Sequence, residues 1–474
     1  MSPLLRAGAH DVGLALVVIA ALALTGLGVT AGAGEMAGWW AFGGTALGGG
    51  TLGAGLLIVF RDHRDRSVLL ARRTASKRVV AAAWLLASVL AAVPFAVFGA
   101  SDGANTATVV YADPLNAWFE SMSGLTSTGL SVSPDASQIP ASLQWWRSLL
   151  QWVGGIGILY VVLALMPDER DASHLAELKE EMSTGSFSPR GVLGPVWLIY
   201  TGYTLATIAA FWIAGMPPWE AVNHGMTTLA TGGFDITGDS FASYDRTIQF
   251  IGIVAMALGA ISFGVHLVLL ARARLGAIAR DEQNRLMAVL LAGGGLLLWA
   301  ATALGPPDVA VFDVAFLWTS ALLTGGFATQ DLSAWGALPL LLLILAMLIG
   351  GASGSTAGGL KQRRVLALLR WAKSRERSGK ASAALRQVAR LGAVLIMGTV
   401  ALVLVGGAGW LAALFETASA LGTVGLTAGV TGPDLPAGAR LVLVLLMWVG
   451  RLEIGATLAL FAGRGKRTES ADGS

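Results

Sequence analysis

Four short segments break up a chain otherwise dominated by long apolar runs. They read "FESMSGLTSTGLS" at 119–131, "NHGMTTLATGGFD" at 223–235, "FLWTSALLTGGFA" at 316–328 and "FETASALGTVGLT" at 415–427. In each, a hydroxyl residue (Ser123, Thr227, Ser320, Ser419) stands six positions before a glycine (Gly129, Gly233, Gly326, Gly425), and an apolar residue follows that glycine. The glycines lie 104, 93 and 99 residues apart. A common register at that spacing reads as a fourfold internal duplication, each copy a helix, an interrupted piece and a second helix.

The surroundings of these segments set the solvent. Charged residues make up 13% of the 474 and hydrophobic ones 55%, where a soluble domain carries about 25% charge. Apolar runs of about 20 residues, enough to cross a hydrocarbon core, recur along the whole length. Ten spanning helices are expected, at 11–33, 38–60, 79–99, 146–166, 192–215, 247–270, 286–305, 336–358, 388–410 and 439–463. The first two read as a helical hairpin rather than a cleaved leader. Alternate connections then hold 28 of the 32 basic residues on one side, which by the positive-inside rule is the cytoplasm. Both termini are expected there. Arg147, Arg246 and Arg440 enter helices from the other side, and Arg451 falls inside the last span. Topology therefore accounts for the basic excess, and nucleic acid is not an expected partner. The chain has no cysteine, so disulfides and thiolate metal sites are excluded.

Irregular backbone at membrane depth is tolerated where protein buries it or where it lines a water-filled cavity. Four such pieces can surround one axis. A short helix aimed at that axis would present its partly negative C-terminal end to a cation, and the extended residues beyond could replace a hydration shell with carbonyl oxygens. Glycine suits such a wall because it lacks Cβ and reaches positive φ cheaply. No acidic ring occurs at the glycine level, so a monovalent cation is the expected substrate.

Together with "WRSLLQWVGGIGI" (146–158), "GGASGSTAGGLK" (350–361) and "GRLEIG" (450–455), these segments make the chain resemble the Trk/Ktr/HKT superfamily of potassium transporters. The N-terminal helix pair is most similar to the bacterial Trk-type membrane subunit. The resemblance implies an all-α polytopic membrane protein: four pseudosymmetric helix–pore loop–helix repeats around a central ion pore, plus the hairpin. Its divisions would be 1–78 (hairpin and linker), 79–190, 191–285, 286–387 and 388–474 (the four repeats). It further implies potassium uptake across the cytoplasmic membrane, with potassium held at Ser127, Thr128 and Gly129, at Thr231, Gly232 and Gly233, at Thr324, Gly325 and Gly326, and at Thr423, Val424 and Gly425.

The run Gly350, Gly351, Ser353, Gly354, Ser355, Thr356, Gly358, Gly359 and Lys361 is a poor helix, each glycine costing about 1 kcal/mol relative to alanine. The resemblance makes it an intramembrane gating loop below the filter, working with Arg451 as a positive barrier. A buried arginine needs a partner or water; Glu453 is the alternative, structural partner. Glu120 and Glu416 stand nine residues before their glycines, where the other copies have His224 and Leu317, and are expected to hold backbone donors. Trp145 and Trp146 read as interfacial anchors. The resemblance also implies a homodimer and a cytosolic nucleotide-binding regulatory ring of the TrkA type, while the chain itself needs no cofactor. A membrane-embedded enzyme would need a convergent acid, base or metal cluster, and none is found in the spans. A sodium- or proton-coupled symporter of the same fold is the alternative to a channel-like subunit.

Overall fold

The first two apolar runs fold back on each other as α1 (Pro3–Ala33) and α2 (Met36–Val59), joined through Gly34. Small residues let the two backbones approach: a Cβ on Gly26 would lie 2.6 Å from the Phe42 ring, and one on Gly13 would lie 2.8 Å from Leu56. Phe42 in turn packs edge-on against Trp146, with centroids 5.7 Å apart. The Glu35 carboxylate in the hairpin turn accepts hydrogen bonds from the backbone and hydroxyl of Ser142. The hairpin is thus bonded to the rest of the fold.

The computed structural model describes residues 3–61, 73–101, 105–165, 189–272, 276–304, 309–374 and 379–452. Among the described residues all regular elements are helices. After the hairpin come α3 (Arg73–Ala91) and α4 (Val93–Ser101), a single span interrupted ahead of Pro94, whose ring cannot donate to the ladder. Then follow α5 (Pro114–Leu125), α6 (Ala141–Leu165), α7 (Pro189–Ile213) and α8 (Pro218–Leu229). The middle of the chain forms α9 (Arg246–Ala260), α10 (Phe263–Arg272), α11 (Glu282–Thr302) and α12 (Val311–Leu322). The last helices are α13 (Ala337–Ile349), α14 (Gln362–Ser374), α15 (Gly379–Gly406), α16 (Trp410–Gly422) and α17 (Ala437–Arg451).

Start signals are legible in the side chains. Asp113 accepts from the Leu115 N–H at 2.9 Å with Pro114 at the first helical position, where a missing N–H costs nothing. Asp245 accepts from Thr247 and Ile248, and Asp281 from Asn284, at the heads of α9 and α11; each such cap contributes about 1 kcal/mol.

Six described helices are long and apolar enough to cross a membrane, and the α9–α10 pair, bent by 97°, would be a seventh. Two expected spans come out differently, and a third is described only in part. The span expected at 247–270 breaks at Ile261 and Ser262. The one expected at 336–358 ends at Ile349, where Gly350 turns to φ +72°. The last is described only to Leu452, so Glu453, the end of "GRLEIG" and the C-terminal tail lie outside the described residues, as do most of the basic connections after α2 and α6. Trp146 is no interfacial anchor: it is fully buried, and its indole N–H donates to the Ala91 carbonyl at 3.0 Å.

Candidate functional site

The four glycine segments each begin at the C-terminal end of a short helix: α5, α8, α12 and α16. All four ends close in the same way. The N–H groups of Ser127, Thr231, Thr324 and Thr423 donate back to the carbonyls of Gly124, Thr228, Ala321 and Ala420 at 2.9–3.3 Å. The next N–H groups, of Thr128, Gly232, Gly325 and Val424, donate to Ser123, Thr227, Ser320 and Ser419 at 2.7–2.9 Å. This paired pattern caps many helices, but glycine usually occupies the left-handed position within it. Here serine and threonine do, with φ of +50°, +49°, +54° and +51°. Such backbone costs on the order of 1–3 kcal/mol per residue and persists where the surroundings over-determine it. Four equivalent strained residues mark one locus.

Two residues on, the chain turns left-handed again at Gly129, Gly233, Gly326 and Gly425, with φ between +78° and +107°. These glycines form a closed circuit. A Cβ on Gly129 would strike the carbonyl oxygen of Gly232, and one on Gly233 would lie 3.1 Å from that of Gly325. One on Gly326 would strike the oxygen of Val424, and one on Gly425 that of Thr128. Each glycine therefore abuts the residue before the next segment's glycine, first to second to third to fourth and back to first. The hydroxyl six positions upstream explains part of the shared register: Ser123 and Ser419 accept from the N–H of Gly129 and Gly425, each at 3.0 Å. Thr227 instead donates to the Asn223 carbonyl at 3.2 Å.

The helices that follow the segments wedge the ring from behind. Gly154, Gly259 and Gly450 lie against the carbonyls of Leu125, Leu229 and Leu421, where any Cβ would collide. From α6, Gln151 reaches the second segment: its amide donates to the Gly232 carbonyl and accepts from the Phe234 N–H at 3.1 Å. Its own main-chain carbonyl accepts from the Ser127 hydroxyl at 3.1 Å. Sequence reasoning passed over Gln151, although its place three residues ahead of the wedging Gly154 was a usable signal.

Two buried glutamates hold the residues that follow the first and fourth ring glycines. Glu120 accepts from Arg147 at 2.8 Å, from Ser131 at 2.9 Å and from the Val132 N–H at 3.3 Å. Arg147 also donates to the Asp235 carbonyl at 2.7 Å and lies 4.2 Å over the Phe234 ring, tying the first segment to the second. Glu416 accepts from the N–H groups of Ala428 and Val430 and from the hydroxyls of Thr427 and Thr431. Both carboxylates hold the backbone beyond a ring glycine, as expected. His224 packs among Phe241, Tyr244 and Phe327 and bonds its own helix at the Glu220 carbonyl.

The small polar run 350–361 is non-helical and crosses beside the strained helix ends. Gly358 donates its N–H to the Thr324 hydroxyl at 2.8 Å, and its Cα has no room for a Cβ against Gly422 and Thr423. Thr356 meets the Thr231 hydroxyl at 3.3 Å and donates to the Gly259 carbonyl at 2.9 Å. The run thus touches the ends of the second, third and fourth short helices. It is braced on the α9–α10 break by three backbone hydrogen bonds: Ala352 to Ala260 (3.0 Å), Phe263 to Gly354 (2.9 Å) and Thr356 to Gly259 (3.1 Å). Within it, Gly350 packs on Gly359, a Cβ on Gly351 would lie 3.2 Å from the Ala260 carbonyl, and Ser355 donates to the Ala352 carbonyl at 2.6 Å. The Ser353 N–H donates to Gln283 at 2.9 Å, and the Lys361 ammonium donates to the Ala357 carbonyl.

Arg451, buried at the end of α17, closes the arrangement. It donates to the Thr356 carbonyl at 3.0 Å and to the Gly154 and Gly155 carbonyls at 2.7 and 2.9 Å. The structure therefore brings the four glycine turns, Thr356 and Gly358 of the run, and Arg451 together at one largely buried locus.

Fold and site together define a helical multi-pass membrane protein organised around a ring of glycines. A family model described as TrkH, cation transport protein, matches residues 54–468. The chain belongs to this family. Its family is one of transport proteins, which sets aside the membrane-enzyme reading. A Trk system potassium uptake protein TrkH from Halomonas elongata is 30% identical over 450 residues, covering 86% of this chain and 89% of that one. The TrkI protein of the same organism is 34% identical over 253 residues, 52% of this chain and 51% of its own. The crystal structure of the potassium transporter TrkH from Vibrio parahaemolyticus superposes with a TM-score of 0.83 at 24% identity, covering 97% and 98% of the two chains, a likeness of fold.

Proposed function

We propose that this chain carries potassium into the cell across the cytoplasmic membrane, with the glycine ring as its selectivity filter. The observation that carries the reading is the closed circuit of Gly129, Gly233, Gly326 and Gly425, each glycine abutting the carbonyl ahead of the next. A narrow ring of neutral backbone can exchange carbonyl oxygens for a monovalent cation's water without holding the ion too tightly to leave. Four helix C-termini converge there and add partial negative charge. The names of the relatives support potassium as the ion, and glycine at all four positions agrees with it. Inward movement is driven by the membrane potential, about 2.3 kcal/mol per charge per 100 mV.

In this reading the four segments belong to four repeats within the boundaries given above, and the run 350–361 is a gate. Its contacts with Thr231, Thr324 and the Gly422–Thr423 end support that role. The Arg451 guanidinium bonded to the same run would add a positive barrier to cations. The bias of basic residues puts both termini in the cytoplasm, facing a nucleotide-binding regulatory ring, and the membrane subunit pairs as a homodimer. Uptake of potassium and of sodium by purified protein in liposomes, wild type against Gly129→Ser, tests the filter. Potassium preference that falls in the variant is the expected result. Flux of neither ion under any gradient, or flux indifferent to the substitution, would reduce these glycines to helix packing.

A further inference from the structure

We propose that Gln151 is a positioning residue of the filter, holding the second glycine segment in register with the first; the proposal rests on the filter reading above. Gln151 is fully buried, yet none of its polar groups is idle. Its amide donates to the carbonyl before Gly233 and accepts from the N–H after it. Those two bonds fix the peptide planes on both sides of a glycine that stands at φ +80° and has no Cβ to limit its rotation. Its main-chain carbonyl meanwhile takes the hydroxyl of Ser127, the strained residue that leads into the first segment. One side chain and its own backbone thus span two neighbouring walls of the ring.

The chemistry suits a place beside a cation path. A lysine or arginine there would oppose the ion, and a carboxylate would face the Gly232 oxygen with no proton to donate. The neutral amide supplies one donor and one acceptor, the complement of what the two peptides present. The neighbouring segment is backed differently. Behind Gly325 stands the thioether of Met256 from α9, where a Cβ on Gly325 would strike it, and a thioether cannot replace that amide donor. The residue before Gly233 is therefore backed by a hydrogen-bonding amide, where the residue before Gly326 is backed by a packed thioether. Exchanging Gln151 for the residue type used next door should release the planes around Gly233 while roughly keeping the volume.

The test is the ratio of potassium to sodium uptake in liposomes for wild type, Gln151→Met, Gln151→Glu and Gly129→Ser. The ratio is insensitive to the fraction of protein that folds, so a merely structural role would lower both fluxes and leave it unchanged. Gln151→Met should lower the ratio about tenfold, as expected when two buried backbone groups lose their partners. Gln151→Glu, which keeps an acceptor for Phe234 and loses the donor to Gly232, should lower it as well. A ratio that falls in Gly129→Ser but stays at the wild-type value in both Gln151 variants would overturn the proposal and leave the filter reading standing. A wild-type ratio near one that Gly129→Ser does not change would overturn the filter reading, and this proposal with it.

Discussion

Thr356 and Arg451 are joined by a hydrogen bond of 3.0 Å from the guanidinium to the main-chain carbonyl, and the hydroxyl of the same threonine meets that of Thr231 at 3.3 Å. One residue of the run thus links a buried charge to the end of the second short helix. If the run is the gate, Arg451→Ala should loosen it and remove a positive charge below the ring. Potassium flux in liposomes should rise about tenfold, in line with the loss of charge-assisted hydrogen bonds. Unchanged flux in a folded variant would deny Arg451 any part in closure.

Gly326→Ala should abolish potassium flux. At φ +78° an added methyl would strike the Val424 oxygen and lie 2.9 Å from the Gly233 Cα, so two walls of the ring must part. Gly293→Ala is the control, because nothing lies within 4 Å of a Cβ there. In α11 that change should stabilise the helix by about 1 kcal/mol. Thermal unfolding in detergent alongside flux separates the two effects.

Thr324→Val keeps the shape of the side chain and removes the acceptor for the Gly358 N–H. A buried donor left without a partner costs about 1–3 kcal/mol. The variant should unfold at lower temperature and leak potassium at rest, while Thr324→Ser, which keeps the hydroxyl, should do neither. Wild-type leak in Thr324→Val would mean that this bond does not hold the run.

The Glu120–Arg147 pair is buried at both ends. Removing one partner strands the other and should cost about 3–5 kcal/mol, whereas replacing both with neutral residues should cost less than the two single losses combined. A double-mutant cycle of Glu120→Gln and Arg147→Met, read by thermal unfolding, gives the coupling directly. Strict additivity would mean that the two side chains hold the residues after Gly129 and Gly233 independently.

Much of this was legible in the sequence because it lives in short-range patterns. In two of the four segments the register of hydroxyl and glycine reflects a local hydrogen bond, from the Gly129 N–H to Ser123 and from the Gly425 N–H to Ser419, and local bonds leave fixed spacings. The glycine-rich run 350–361 announced itself as non-helical by composition alone. What the sequence hid were contacts between distant parts. Gln151 bonds across 81 residues to Gly232, and no spacing rule connects them. The break at Ile261 and Ser262 falls in an apolar stretch with no proline; it is matched to backbone donors and acceptors from a run about 90 residues further on. Trp146 is hidden for a similar reason: the pair Trp145–Trp146 has an interfacial look, and only the distant Phe42 and Ala91 show it to be buried.

All four ring glycines sit on one covalent chain, and this sets how the ring can vary. In a pore assembled from identical subunits, any substitution arrives in every wall at once, and a change tolerable in one wall is tested in all. Here a codon alters a single wall. Gln151 behind the second segment and Met256 behind the third show walls that differ in how they are backed. If the ring is the filter, selectivity can be adjusted in quarter steps, and the same ring can be sampled one wall at a time by mutation.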